Sequence, residues 1–131
     1  MAVPHDKPLE STKGIEPLNE VRLRGRWTAA SVRELPSGDE LVSARVVVQR
    51  EGAGVDTIDC AVWTPALRRR SLAIPEGTCV EVDGSLRRRF WRTPAGAASR
   101  YEVEVSGLRR VPAAASPAGR RPVKGAAGTA G

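Results

Sequence analysis

Five stretches of this chain alternate apolar and polar residues with a period of two, and that period constrains its fold more than any other feature. Val21, Leu23 and Gly25 alternate with Arg22, Arg24 and Arg26. Ala44, Val46 and Val48 alternate with Arg45, Val47 and Gln49, and Ile58, Cys60 and Val62 with Asp59, Ala61 and Trp63. Val80, Val82, Gly84 and Leu86 alternate with Glu81, Asp83, Ser85 and Arg87; Tyr101, Val103 and Val105 alternate with Glu102 and Glu104. Successive side chains of a strand point to opposite faces, so each stretch presents one apolar face to a core. Together they predict an antiparallel sheet curled around its own interior.

The connections agree with that reading. Leu35-Pro36-Ser37-Gly38-Asp39 is a turn, with Pro presetting one dihedral and Gly accepting a positive one. Glu51-Gly52-Ala53-Gly54 is a short hairpin loop, and Thr93-Pro94-Ala95-Gly96 turns the last hairpin. Residues 65–74 break the alternation. Pro65 suits a first helical turn with Thr64 as its N-cap, and Pro75 and Gly77 end the segment. Three strands, a short helix and two strands make up the order of the OB-fold, so the expected class is all-β: a five-stranded Greek-key barrel with a short helix between strands 3 and 4. Aromatic residues are scarce, so the core must be built from Val, Leu, Ile and Ala.

Residues 1–18 mix Pro4, Pro8, Pro17 and Gly14 with charges and show no sustained period; residues 112–131 are mostly Ala, Gly and Pro around Arg120 and Arg121. Neither stretch buries enough apolar surface to offset the entropy of ordering it, so both are expected to be disordered extensions. One domain remains, at about residues 19–111. No internal repeat divides it.

The formal net charge is +6, and 18 of the 21 basic residues are Arg. A planar guanidinium suits phosphate contacts and base stacking, although a GC-rich genome would favour Arg regardless of function. Cys60 and Cys79 lack a CxxC companion and His5 is the only histidine, so the roughly four ligands of a structural zinc are wanting. No glycine-rich phosphate loop precedes a helix, and no cofactor is expected. Neither a membrane span nor a secretory signal is evident, which points to a soluble, cytoplasmic protein whose cysteines stay reduced.

Against this background the tryptophans stand out. Trp63 is out of phase with Ile58, Cys60 and Val62, and Trp91 is in phase with Arg87 and Arg89. Both indoles are thus expected on the outer face beside guanidinium groups, where they could stack on unpaired bases while Arg holds phosphates. Covering the barrel or a subunit interface is the other use of such a Trp. Arg45 and Arg50 are further candidate phosphate contacts. Trp27 ends the first strand in phase with its apolar face and is expected in the core or at its rim. Phe90 points away from Trp91, with core packing as its default. The run Arg68-Arg69-Arg70 must spread around the helix and is expected to be a solvated surface.

Catalysis has no support in the sequence. His5 lies in a terminal extension, Cys60 has the phase of an inert core thiol, and Glu102 and Glu104 occupy ordinary outward strand positions. The chain is not expected to be an enzyme.

In order along the chain, several pieces resemble the bacterial single-stranded DNA-binding proteins. These are Asn19-Glu20-Val21 with Gly25; Leu35-Pro36-Ser37-Gly38 followed by Leu41; and Asp59-Cys60-Ala61-Val62-Trp63. The block from Gly77 to Trp91, with Val80, Val82, Gly84, Leu86, Arg87 and Arg89, continues the resemblance, and Arg100-Tyr101 and Glu104-Val105 complete it. The resemblance implies that Trp63 and Trp91 stack on bases and that Arg87 and Arg89 line the DNA path. Thr57 stands where many members carry another stacking Trp, and the loop at 51–54 is shorter than usual there. Members are commonly homotetramers paired through the first strand, so a homo-oligomer (dimer or tetramer) is implied. Members also end in an acidic tip that recruits replication and repair enzymes. Gly128-Thr129-Ala130-Gly131 after a basic stretch does not match that tip, so such recruitment is not expected.

The resulting expectation is sequence-tolerant binding of single-stranded DNA in replication, repair or recombination, as an accessory variant in the cytoplasm at the nucleoid. The alternatives are an OB-fold protein-interaction module of a DNA-processing assembly, and RNA binding.

Overall fold

The alternating stretches do become strands, and their register shows why. The computed structural model describes residues 13–112. Its elements are β1 (Val21–Glu34), β2 (Glu40–Gln49), β3 (Val55–Val62), α1 (Pro65–Ala73), β4 (Thr78–Thr93) and β5 (Gly96–Arg110). The strands close into a barrel in the order β1-β2-β3-β5-β4, with β4 returning to β1. All neighbours are antiparallel except β3 and β5, which pair in parallel through Cys60↔Val103 and Ala61↔Glu104. This is the five-stranded OB-fold architecture, with its helix between β3 and β4. Residues 13–20 are exposed and form neither helix nor strand. The remainder of the expected terminal extensions, residues 1–12 and 113–131 with His5, Arg120 and Arg121, lies outside the described residues.

The interior is the apolar set read from the alternation. Val42, Ala44, Val46, Cys60, Val62, Val80, Val82, Val103, Val105 and Leu108 pack around Trp27, which is fully buried. The Trp27 indole nitrogen donates to the Ser71 carbonyl at 3.1 Å, fastening α1 to the barrel. Burial of so polar a contact is stabilising only because donor and acceptor meet. The helix is tied down again by its arginines. Arg68 is half-buried and pairs with Glu40 at 3.3 Å, while Arg69 and Arg70 are exposed as expected, Arg70 also donating to the Leu108 carbonyl.

Two irregularities shape the ring. β1 does not stop at Trp27 as expected. A bulge between Thr28 and Ser31, with Ala29 at φ 59°, reverses the strand's phase and carries it on to Glu34. Ala30 then packs against the core while Arg33 joins the outer face with Ser43. In β5, Ser106 is the extra residue between the pairs Asp83↔Gly107 and Gly84↔Val105, so that Leu108 turns inward beside Val105. Gly25 allows β1 to pass from β4 to β2. A Cβ there would lie 2.3 Å from the Val47 carbonyl oxygen.

Three expected core residues are not in the core. Leu86, Phe90 and Tyr101 are 45%, 67% and 57% exposed. The cause is topological. β1 pairs β4 only as far as Val21↔Gly84, and β3 pairs β5 only around Val103. Beyond these points the β4–β5 hairpin projects from the barrel, and its apolar side faces no opposing wall.

Candidate nucleic-acid interface

Four adjacent strands share one outer face, and their registers fix what sits on it. Arg45 lies opposite Asp59 across β2 and β3; Ser85, Arg87, Arg89 and Trp91 of β4 lie opposite Glu104, Glu102, Arg100 and Ala98 of β5. Trp63 follows the last residue of β3, held between that strand and Thr64 at the start of α1. Because Ala98 is small, the Trp91 indole has no bulky cross-strand neighbour, and it is 45% exposed. Trp63 is half-buried. Both indoles therefore lie outside the hydrophobic interior, on the side expected from the strand phase.

Arg89 stands between them. Its guanidinium carbon is 5.5 Å from the Trp63 ring centroid, inside cation–π range. One groove is lined by Trp63, Arg87, Arg89, Glu102 and Glu104, and a second by Arg33, Pro36, Leu41, Arg89, Trp91 and Arg100. Arg89 and Glu102 border both grooves, forming the wall they share. A flat ring on each side of a cationic wall is an arrangement on which unpaired bases can stack while phosphates approach the cation.

The cations on this face are not bare. Arg87 binds Glu104 at 2.8 Å and Arg89 binds Glu102 at 3.1 Å. Arg100 lies 3.9 Å from Asp59 and 4.0 Å from Glu102, and Arg45 lies 3.4 Å from Asp59. An ion-pair chain thus crosses the face from Arg45 through Asp59, Arg100 and Glu102 to Arg89. Glu102, expected as an ordinary outward residue, is instead buried beneath Arg89 and Arg100. Each exposed pair contributes little alone, but a chain of them orients the guanidinium groups.

Arg87, Arg89, Trp63 and Trp91 are brought together, and Arg45 joins them through Asp59 and Arg100. Arg50 is not brought in. Its backbone N–H donates to Gly54 and its Nε donates to Asp56 at 2.9 Å, closing the β2–β3 turn away from both grooves. Arg33 and Arg100 escaped the reading of the sequence. Arg100 could have been found from the hairpin register, because a turn at Thr93–Gly96 sets it opposite Arg89. Arg33 was concealed by the bulge at Ala29.

Burial pushes the Cys60 thiol up to about 12, aided by the Asp59 and Glu102 carboxylates, so it is a poor nucleophile at neutral pH. Cys60 and Cys79 are free. Among the described residues no cluster of His, Cys, Asp and Glu could hold a metal ion, and no helix is long and apolar enough to cross a membrane.

A closed five-stranded barrel in this strand order, with its helix between β3 and β4, defines an OB-fold domain. Comparison with solved structures gives the same fold. The chain is similar to the Plasmodium falciparum SSB in complex with ssDNA, at 21% sequence identity and a TM-score of 0.60, over 73% of this chain and 96% of that one. No family model and no curated protein matches the sequence.

Proposed function

We propose that this protein binds single-stranded DNA without reading its sequence. The observation that carries the reading is the placement of Trp63 and Trp91 on either side of Arg89, on an outer face crossed by further arginines. Bases stack on the two indoles, and Arg87, Arg89, Arg45 and Arg100 exchange carboxylate partners for phosphates. No side chain on the face is arranged to discriminate base edges, so binding is tolerant of sequence. The solved structure of similar fold supports this reading, since that SSB was captured with ssDNA. On this reading the chain acts as a binding protein rather than an enzyme, an accessory factor of the bacterial single-stranded DNA-binding type in DNA replication, repair or recombination.

Titration with oligo-dT tests the reading. Tryptophan emission should be quenched, and log affinity should fall with log salt at about −0.7 per phosphate engaged. Unaltered emission together with no gel shift at low salt would overturn it. The ion-pair chain favours one competing reading, a face that docks a protein partner, because each of its arginines already has a carboxylate partner. Salt-insensitive capture of a protein with no DNA affinity selects that alternative. Matched RNA oligomers complete the series, since nothing on the face distinguishes a 2′-OH.

A further inference from the structure

The two faces of the projecting β4–β5 hairpin differ in chemistry. The face described above mixes Arg87, Arg89 and Arg100 with Glu102 and Glu104. The reverse face carries Leu86, Arg88, Phe90 and Arg92 from β4, with Tyr101 and Ser99 opposite Arg88 and Phe90 on β5. No carboxylate from either strand shares that side. Arg88 lies 4.9 Å from the Phe90 ring centroid and 5.4 Å from that of Tyr101, and its Nη2 donates to the Ser99 hydroxyl at 3.1 Å. Its guanidinium is therefore oriented by two rings and a neutral hydroxyl, unlike Arg87 and Arg89, which an acid holds. Phe90 and Tyr101 remain more than half exposed.

We propose that this reverse face is a second single-strand-binding surface, on which Arg88 and Arg92 meet phosphates and Phe90 and Tyr101 stack on bases. It rests on the single-strand reading above and extends it: one strand passes over the hairpin and contacts both sides. Charge selects the occupant. A cationic surface without an acid of its own, bearing two open aromatic rings, complements a polyanion with unstacked bases. A two-fold contact between copies of the chain would bring Arg88 and Arg92 against their own counterparts, with no carboxylate on the hairpin face to offset them.

The test compares oligo-dT of about 8 nucleotides, which one face accommodates, with about 16, which spans both. The double substitution Phe90→Ala/Tyr101→Ala changes only exposed rings, and thermal melting by circular dichroism confirms that the barrel persists. The double variant should bind the longer oligomer about tenfold more weakly and the shorter one within about twofold of the parent. Arg88→Gln should flatten the salt dependence for the longer oligomer alone. Cross-linking of 5-iodo-deoxyuridine in the longer oligomer should label Tyr101 peptides. If Trp91→Ala weakens both oligomers while the reverse-face variants leave both unchanged, this proposal fails and the single-strand reading stands. If no variant alters binding by either oligomer, both fail. A double variant that sediments as a smaller species, with unaltered DNA affinity, assigns the face to self-association and overturns the proposal.

Discussion

The Arg89 guanidinium rests over the Trp63 ring while donating through Nη1 to Glu102, so one cation is held at once by an aromatic face and by a buried carboxylate. That geometry has a cost for ligand binding. A phosphate that takes the Arg89 Nη1 donor would displace Glu102, and a base that stacks on Trp63 would use the other side of the indole or move Arg89. Under the proposed single-strand reading the carboxylate is a built-in competitor, and removing its charge has a calculable sign.

Glu102→Gln should tighten oligo-dT binding and steepen the salt dependence, by about 0.7 in log–log slope for each phosphate newly engaged by Arg89 or Arg100. The same substitution should lower stability modestly, because Gln cannot neutralise two guanidinium groups. Fluorescence titration and urea unfolding read the two effects separately. Weaker binding by a folded Glu102→Gln variant would show that Glu102 does not compete with DNA.

Trp91→Ala should weaken oligo-dT binding by about 1–3 kcal/mol. Its exposure and its small cross-strand neighbour Ala98 mean that stability should change by no more than about 0.5 kcal/mol. Equal losses of binding and stability would mean that the indole is a structural cover.

Gly25→Ala should destabilise the barrel by about 1–3 kcal/mol or more, since the new methyl would lie 2.3 Å from the Val47 carbonyl oxygen and 2.9 Å from its carbon. Gly84→Ala meets the Glu104 carbonyl oxygen at 2.2 Å and should behave likewise. Ala29→Gly should do the opposite. At φ 59° the alanine methyl is disfavoured, and glycine there should be neutral or stabilising by up to about 1 kcal/mol, provided that the Ala29 N–H keeps its bond to Glu76. Chemical denaturation of the three variants gives the ordering directly.

Acid should weaken the fold through Glu81. Hydrogen bonds from Arg24 and Arg109 hold its carboxyl below the ordinary carboxylate range. A depressed native value means that the stabilisation is complete above the unfolded value of about 4.3 and disappears as pH falls through the native one. The stability difference between the parent and Glu81→Gln should therefore be largest near neutrality and shrink on acidification below about pH 5. A difference that is constant from pH 7 to strongly acidic solution would exclude this linkage.

Much of this architecture is legible in the chain because a period of two leaves little choice of face. The buried sets in β2 and β3, the turn at Gly38, the helix opened by Pro65 and the outward phase of Trp63 and Trp91 all follow from it. The reading loses accuracy where a strand inserts a residue or outlives its partner. At Ala29 a bulge reverses the phase, which conceals Arg33. Beyond Gly84 the period continues although the barrel does not, so Leu86, Phe90 and Tyr101 keep a core pattern on an uncovered surface. Glu102 shows a third limit: alternation gives a side chain its direction but not what lies on top of it.

The closing of β1 onto both β2 and β4 also sets how the molecule opens. Around Arg26 and Trp27 the strand is laddered on either side, so freeing those amides requires two neighbours to separate together. Their hydrogen exchange should follow global unfolding. Amides near Phe90 and Ser99, held by a single ladder, should exchange by local fraying at a much lower free energy. The molecule thus joins a slow-exchanging ring to a fast-exchanging arm.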